Sequence, residues 1–358
     1  MDIIEKIKKR AIRKGDIGAE EALGLFIEGA TRPFQVMAAA DEIRRHSKGV
    51  DVGLCGIVNA KSGRCPEDCK FCAHSAHWAT DVESYPLKKA SEIIADADAA
   101  RKNGAEMFGI VTSGKPIKEK KEWAEIIKAI RGINNLGMKA CASLGMIDEP
   151  TARTLKNAGL YRYHHNLETS RSFFPEICTT HAYGEDVETV RAARTAGLSV
   201  CCGGLIGLGE SVRHRIELAL TLRELDVDSV PISILDPVKG TPLRLTPPLP
   251  PLETLTTIAV FRFLLPDKDI KLCGGKERNL RQLLPLGLVA GANALMTGGC
   301  LTTPERDAGL DIEMIRDLGL RPTRESEHVC SCTAGEKALH CKQPDGKGGP
   351  GKKGRVRR

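Results

Sequence analysis

The chain has 358 residues, thirteen of them cysteine, and a formal net charge of +7 at pH 7. This length suits one large α/β barrel, which commonly takes about 250 residues before extensions. The cysteines do not indicate a secreted disulfide scaffold, because such proteins are shorter and usually have an even cysteine count. The sequence shows no secretory leader and no apolar run of the ~18 residues that cross a membrane, so we expect a cytoplasmic protein.

The positive charge is concentrated at the C-terminal end. Residues 342–358 contain seven lysines and arginines against Asp345, so the rest of the chain is nearly neutral. The segment GKGGPGKKGRVRR has Val356 as its only large apolar residue and cannot bury a core, which predicts a disordered basic tail. We expect no specific nucleic acid partner, although weak contact of the tail with RNA or an acidic partner stays the alternative.

Short apolar segments alternate with longer amphipathic ones along most of the chain. Eight candidate strands begin at Gly53, Met107, Lys139, Arg162, Ser199, Ser229, Ile270 and Ala292. Most gaps are long enough for a helix, as in SVRHRIELALTLREL, where Ser211 can cap the N-terminus. Eight such units predict an α/β fold, a closed (β/α)₈ barrel of the TIM type, with functional groups at the C-terminal ends of its strands.

The same pattern predicts three parts of the chain. Residues 1–49 would form a helical extension that caps the bottom of the barrel, and residues 50–320 would form the barrel. Residues 321–358 would form a C-terminal extension that includes the basic tail. This extension contains three cysteines whose role the sequence leaves open, Cys330, Cys332 and Cys341.

Three cysteines follow the first predicted strand with the spacing C-x₃-C-x₂-C, at Cys65, Cys69 and Cys72. Three thiolates on one loop can hold three irons of a cubane cluster and leave the fourth iron open to a small molecule. A structural zinc site is the alternative, but it needs four ligands, and His74 or His77 would have to complete it.

Several segments stand in a fixed order over residues 51–320. They read CPEDCKFCAHS, HHNLETS, TAGLSVCCGGLIGLGE, VPISIL followed by VKGTPL, and GANALMTGGCLTT. As a set they resemble the biotin synthase family of radical S-adenosylmethionine (SAM) enzymes. The resemblance implies a [4Fe–4S] cluster on Cys65, Cys69 and Cys72, with SAM at its open iron and Phe71 beside the adenine of SAM.

The resemblance also implies the reaction. A radical derived from SAM would remove hydrogen from dethiobiotin, and sulfide from an auxiliary iron–sulfur cluster would be inserted to give biotin. The implied partners are dethiobiotin, an electron donor such as flavodoxin or ferredoxin, and a second copy of the chain in a homodimer.

Relatives hold the auxiliary cluster, known in a [2Fe–2S] form, with three strand cysteines and one arginine. Cys141 and Cys201 match two of these positions, whereas Gly109 and Lys271 stand at the other two. Cys273 lies two residues beyond Lys271 and so faces the same side of its strand. We predict that Cys141, Cys201 and Cys273 hold a [4Fe–4S] type of auxiliary cluster with an open iron that carries the sulfide. A role for Cys273 as an ordinary buried hydrophobe is the alternative.

The remaining cysteines are interpreted as core or structural residues rather than as ligands. Cys202 adjoins Cys201 and should face the core on the other side of the strand. We interpret Cys55, Cys178 and Cys300 as structural.

Substrate contacts are expected from alternate positions of HHNLETS. His164, Asn166 and Glu168 would point inward together and supply hydrogen bonds to a ureido ring and to the ribose of SAM. Ser233 stands where relatives often have an asparagine that meets the ureido group.

Two further positions concern SAM. Asp186 stands where some relatives aim an arginine at the SAM carboxylate. The run GGLIGLGES leads from a strand into a helix, and Gly207 and Gly209 could bring backbone amides close to SAM.

Two other functions stay open at this point. Gly109, Ser233 and Lys271 also suit another radical SAM barrel enzyme, such as a metallocofactor maturase or a carbon-skeleton mutase. A binding protein that is stabilised by metal and acts through its basic tail is the non-enzyme alternative.

Overall fold

The computed structural model describes residues 2–114, 117, 119–299 and 306–324. The predicted disordered tail lies outside these residues, and so do Cys300, Cys330, Cys332 and Cys341. No helix in the described part of the chain is long and apolar enough to cross a membrane.

Parallel strands close into a barrel with eight strand positions, as the sequence predicts. The strands are β1 Asp51–Lys61, β2 Met107–Thr112, β3 Lys139–Ser143, β4 Arg162–His164, β5 Ser199–Cys201, β6 Gly204–Ile206, β7 Ser229–Ile234, β8 Asp269–Leu272, β9 Ala294–Met296 and β10 Arg321–Pro322. The order is β1-β2-β3-β4-β5-β7-β8-β9, and β9 pairs with β1 to close the ring. Strand β6 continues the fifth position alongside β7, and β10 pairs in parallel with the first two residues of β1.

Helices surround the barrel in the order that the alternating pattern predicts. They are α1 Ile3–Ile12, α2 Ala19–Thr31, α3 Pro33–Lys48, α4 Ala90–Lys102, α5 Lys120–Asn135, α6 Glu149–Asn157, α7 Tyr183–Thr195, α8 Val212–Glu224, α9 Pro251–Leu264, α10 Lys276–Leu280, α11 Leu286–Val289 and α12 Ala308–Asp317. Helix α8 begins after Ser211, whose side chain accepts a hydrogen bond from the His214 amide, so the predicted cap is present.

The N-terminal helices lie elsewhere than expected. Helix α3 packs against α9, and α2 packs against α8 and α9, so the extension covers the side of the barrel rather than its bottom. These helices carry one apolar stripe each, and an apolar stripe packs more favourably on the apolar outer face of α9 than on the polar ends of strands. The extension also reaches the lower rim, where Lys14 pairs with Asp267 at 3.3 Å and Lys48 pairs with Asp269 at 2.7 Å.

Two glycines fix the interior end of the fifth strand position. A Cβ atom at Gly203 would lie 2.0 Å from the Pro231 carbonyl oxygen, and one at Gly204 would lie 2.3 Å from the Glu168 carbonyl oxygen. Only glycine therefore fits this close approach of three chain segments. The contact holds Glu168, which has a positive φ of 62°, at the wall of the barrel interior.

A buried arginine organises the lower end of β8. Arg262 is fully buried and donates to the carbonyl oxygens of Leu265, Pro266, Lys268 and Gly291 and to the side chain of Asn293. Without the guanidinium group, several of these acceptors would lose a donor in the protein interior, which is unfavourable. One side chain thus joins α9, β8 and β9.

We expect Arg262→Met to lower the free energy of unfolding by at least about 3 kcal/mol, because several buried carbonyl groups lose their donors together. Urea denaturation of the metal-free protein measures the change. Arg213→Met, which breaks the exposed pair with Glu20, is the control and should have no measurable effect. A loss below about 1 kcal/mol for Arg262→Met would contradict this role of the arginine.

Candidate active site along the barrel axis

Two connected cavities occupy the upper part of the barrel. The upper cavity, of about 390 Å³, opens at the C-terminal ends of the strands and is lined by Cys65, Cys69 and Cys72. The middle chamber, of about 300 Å³, lies below it inside the barrel. Residues lining both include Phe71, Cys72, Val111, Ser143, His164, Asn166 and Glu168. The upper cavity and the middle chamber therefore share part of their walls.

The loop after β1 presents its three cysteines to the upper cavity. Backbone hydrogen bonds shape the loop: the Cys65 amide donates to the His74 carbonyl at 2.8 Å, and the Cys72 amide donates to the Cys69 carbonyl at 3.0 Å. The indole of Trp78 donates to the Cys69 carbonyl at 3.0 Å. These contacts fix the backbone and leave the thiols facing the cavity.

The spacing of these thiols does not suit a single zinc ion. Zinc–sulfur bonds of about 2.3 Å would hold tetrahedral ligands about 3.8 Å apart. Within the described residues, the only three ligand atoms of His, Cys, Asp or Glu that approach within 4.8 Å of one another belong to Glu67, Cys178 and His181. His74 accepts a hydrogen bond from the Gly63 amide, and His77 lies 3.0 Å from the Pro66 carbonyl. Both histidine side chains therefore contact the backbone of the cysteine loop. The wider spacing fits a cluster of several irons.

A network of charged groups lines the wall beside the cysteine loop. His181 Nδ1 lies 2.8 Å from Glu67 Oε2, and His181 Nε2 lies 3.2 Å from Asp186 Oδ2. The other Asp186 oxygen lies 2.8 Å from His165 Nε2. Burial would lower the pKa of His181, but Asp186, Cys178 and Glu67 together raise it to about 11. His181 is therefore an imidazolium cation on this wall, in contact with Glu67 of the cysteine loop.

The sequence prediction missed this network. The sequence pattern gives no role to His165 and His181, and it indicates a structural role for Cys178, which lines the upper cavity. A hydrogen bond with Cys69 and contact with His181 lower the pKa of Cys178 to about 5. The only indication in the sequence is Asp186, at the position where some relatives have an arginine. This difference implies that another positively charged side chain lies on this wall of the upper cavity.

The predicted substrate residues lie at the junction of the two cavities. Asn166 donates to Glu168 at 3.2 Å and accepts from the Gly203 amide at 3.1 Å. Burial raises the pKa of Glu168 to about 7. Phe71 lines both cavities, and Ser233 lines the chamber. The structure thus brings these side chains together with His164.

The predicted glycines do not join them. Gly207 and Gly209 line neither cavity. The amides of Gly207 and Leu208 instead donate to the carboxylate of Glu210, which pairs with Arg215 at 2.6 Å. The Gly207 amide is already bound within the protein, and Gly209 lines neither cavity, so the geometry gives no support to the SAM contacts predicted for these two glycines.

Besides Cys72, which lines both cavities, four cysteines line the middle chamber: Cys55, Cys141, Cys201 and Cys273. The first three come from β1, β3 and β5, and Lys271 comes from β8. In a TIM barrel, alternate strands contribute the four side chains of one interior layer. These strands hold the first, third, fifth and seventh positions, so Cys55, Cys141, Cys201 and Lys271 form such a layer. Cys273 follows two residues above Lys271.

Cys55, which the sequence analysis interprets as structural, lines the middle chamber. Cys55 faces the chamber because it lies at an inward position of β1, and strand alternation could have shown this. Cys202 agrees with the prediction, since it is fully buried and packs in the hydrophobic core outside the barrel interior. Because side chains alternate along a strand, Cys201 faces the barrel interior and Cys202 faces the surrounding core.

Two buried cations accompany these thiols. Lys271 forms no salt bridge with any carboxylate in the described part of the chain, and the neighbouring thiols raise its pKa although burial opposes this. Arg162 donates to Ser199 at 2.9 Å and lies 3.6 Å from Asp269. A buried ammonium group without a carboxylate partner is unfavourable. The chamber is therefore suited to an anionic group held by thiolates.

One of these thiols is acidic even without metal. Burial opposes ionisation of Cys201, but Lys271 and His164 lower its pKa to about 6. His164 Nδ1 lies 3.3 Å from the Cys201 sulfur. Burial raises the pKa of Cys141 to about 12 and also raises that of Cys273. The chamber thus holds one thiolate ready to bind metal and others that ionise when metal displaces their protons.

Comparisons with known proteins agree with this arrangement. The radical SAM superfamily model matches residues 60–222, and the biotin and thiamin synthesis associated domain matches residues 231–321. The biotin synthase of Geotalea daltonii is 52% identical over 318 residues, which cover 88% of this chain and 97% of that protein. The biotin synthase of Geobacter sulfurreducens is 50% identical over 317 residues, with coverages of 88% and 96%.

The chain belongs to the biotin synthase family. It is a radical SAM enzyme, and relatives of about half identity favour biotin synthase over the maturase, mutase and binding-protein alternatives. Membership in this family implies a [4Fe–4S] cluster, SAM and an auxiliary cluster. The thiols of the upper cavity and of the chamber form two groups that fit these two clusters.

Solved structures confirm the fold. Methylornithine synthase matches with a TM-score of 0.77 at 20% identity, covering 89% of this chain and 97% of that chain. An [FeFe]-hydrogenase maturase from Carboxydothermus hydrogenoformans matches with a TM-score of 0.73 at 16% identity, covering 91% and 81%. At these identities the likeness is one of fold alone.

We expect Lys271→Met to raise the pKa of Cys201 in the metal-free protein from about 6 to above about 8, because the principal stabilising cation is lost. The pH dependence of Cys201 alkylation, followed by mass spectrometry, measures this change. Lys268→Met removes a lysine that pairs with Asp226 outside the chamber and should leave the profile unchanged. An unchanged profile in Lys271→Met would show that Lys271 does not govern this thiol.

Proposed function

We propose that the chain converts dethiobiotin to biotin, using sulfide from an auxiliary iron–sulfur cluster held in the middle chamber. The observation that carries the proposal is the buried ammonium of Lys271 among four thiols, with no carboxylate partner in the described residues. Clusters and SAM would supply the radical chemistry, since cofactors carry the reactions that side chains cannot perform. The protein's part is to hold, orient and separate them.

The upper cavity suits SAM beside the first cluster. Cys65, Cys69 and Cys72 would hold that cluster, and the imidazolium of His181 would face the SAM carboxylate in place of the arginine of some relatives. Phe71 would lie against the adenine, and Glu168 would accept hydrogen bonds from the ribose. Asp186 would fix both His165 and His181 in position.

Dethiobiotin would lie where the upper cavity meets the chamber. Asn166, His164 and Ser233 line this region and offer donors and acceptors to a ureido ring. A substrate bound there has SAM on one side and the auxiliary cluster on the other. The barrel would thus place the carbon atoms near both the radical and the sulfur, which is catalysis by positioning.

The auxiliary cluster would be of the [4Fe–4S] type, with Cys141, Cys201 and Cys273 as ligands. Gly109 offers no ligand where relatives have a cysteine, so the iron facing β1 and β2 would lack a thiolate unless Cys55 bound it. We propose that this iron stays open and carries the sulfide. Lys271 and Arg162 would balance the negative charge of the cluster.

Several features complete the proposal on the strength of family resemblance. Reducing electrons would come from a donor such as flavodoxin or ferredoxin, and the enzyme would act as a cytoplasmic homodimer. The barrel would span residues 50–320, between the helical extension of residues 1–49 and the C-terminal extension of residues 321–358.

We expect the reconstituted protein to bind about eight irons and eight acid-labile sulfides per chain, as two cubanes require. Cys273→Ala should lower both counts to about four, because the auxiliary cluster is lost while the first remains. Cys202→Ala is the matched control: it removes a cysteine of the same barrel that faces the core and should keep both counts. An unchanged count in Cys273→Ala would refute this ligand assignment.

Substitution of Cys55 tests whether one iron of the auxiliary cluster lacks a protein ligand. If Cys55 binds no iron, Cys55→Ala should retain about eight irons per chain and should still form biotin. Iron analysis and a single-turnover assay measure these outcomes. A fall to about four irons would instead make Cys55 a fourth ligand and would rule out the open iron.

A further inference from the structure

A third cavity lies at the opposite end of the barrel. This lower cavity has a volume of about 160 Å³ and is lined at the N-terminal ends of the strands by residues that include Gly53, Ser229, Asp269 and Thr323. In TIM barrels that end normally serves stability, and function resides at the other end. A polar cavity at this end therefore requires an explanation.

The lower cavity adjoins the middle chamber. Cys55, Arg162 and Lys271 line both of them. One thiol and two cations thus form the shared wall between the lower rim and the proposed site of the auxiliary cluster. Cys55 lies on the side of the chamber where the open iron is proposed.

Small side chains keep the lower cavity open. Gly53 lies two residues before Cys55 on β1, so a side chain there would point to the same interior face. Its strand neighbour is Ala294. A Cβ atom at Gly53 would lie 3.0 Å from Glu106 Oε1 and 3.7 Å from the Ala294 Cβ, which means that a larger residue would fill the space.

The lining favours a small polar species. The hydroxyl of Ser229 is fully buried and has no hydrogen-bond partner among the described residues. Three carboxylates also line the cavity, and each is paired with a cation: Asp51 with Arg321, Glu106 with Lys139, and Asp269 with Lys48. The inner wall carries the further cations Arg162 and Lys271. At about 30 Å³ per water molecule, the lower cavity holds roughly five such molecules. This volume admits a small inorganic anion and excludes SAM and dethiobiotin.

We propose that the lower cavity is the route by which hydrosulfide enters to reload the auxiliary cluster between turnovers. The inference rests on the proposed function, in which each biotin consumes one sulfide. Hydrosulfide supplies both electrons of the new iron–sulfur bond and releases its proton to water, so its addition changes no oxidation state. The two electrons that the previous sulfide would leave on the irons, on forming two carbon–sulfur bonds, would be consumed by the two SAM cleavages of the next turnover. Arg162 and Lys271 attract the anion inward, and SAM and dethiobiotin need not leave the upper end.

Substitutions that block the lower cavity at its rim and in its interior test the proposed hydrosulfide route. Thr323→Trp covers the exposed rim, Gly53→Leu fills the interior, and Thr323→Ser is the matched control. Clusters are loaded before SAM is added, and each protein completes one turnover with biotin measured. Radioactive sulfide is then added with saturating SAM and dethiobiotin, and the label bound to the protein is followed over time. Thermal unfolding verifies that each variant is folded.

We expect equal uptake in the original protein and Thr323→Ser, and uptake at least about tenfold slower in each folded blocking variant, a barrier increase of about 1.4 kcal/mol. First-turnover biotin should be the same in all four proteins. Uptake at the original rate in a folded blocking variant would overturn the route, and so would uptake in the original protein that SAM and dethiobiotin abolish. Absence of first-turnover biotin from the original protein would instead refute the proposed function.

Discussion

The buried ammonium group of Lys271 is the constraint on which the barrel interior depends. Burial of a charge without a compensating partner is unfavourable, and the described residues supply four thiols rather than a carboxylate. The charge is balanced when thiolates and an anionic cluster occupy the chamber. An apolar core would be more stable without Lys271, so its presence is best explained by the cluster that it faces.

The barrel arranges the proposed chemistry along one axis. Cys65, Cys69 and Cys72 lie on a loop at the C-terminal ends of the strands, whereas Cys141 and Cys201 lie on the strands inside. In the proposed function, this separation would keep the group that generates radicals away from the group that supplies sulfur, with the substrate between them. Parallel strands enforce this order because side chains on alternate strands form successive layers.

The sequence predicted the local features of this structure well. The eight strands and the cysteine loop follow from patterns within short segments, which neighbouring residues largely determine. The positions of the N-terminal helices, Cys55 and His181 depend on contacts between residues far apart in sequence. Alternation along a strand indicates which side chains share a face, but it does not identify which strands lie beside one another. Ligand roles remain predictions that the geometry supports.

The most direct test of the central claim is a single turnover with an isotopically labelled cluster. The protein would be reconstituted anaerobically with a heavy isotope of sulfide, freed of unbound sulfide, and supplied with SAM, a strong reductant and dethiobiotin. Mass spectrometry would follow 5′-deoxyadenosine and biotin. The proposal predicts both products, with the heavy isotope in the biotin. Biotin that lacks the label would contradict the auxiliary cluster in the chamber as the source of the sulfur.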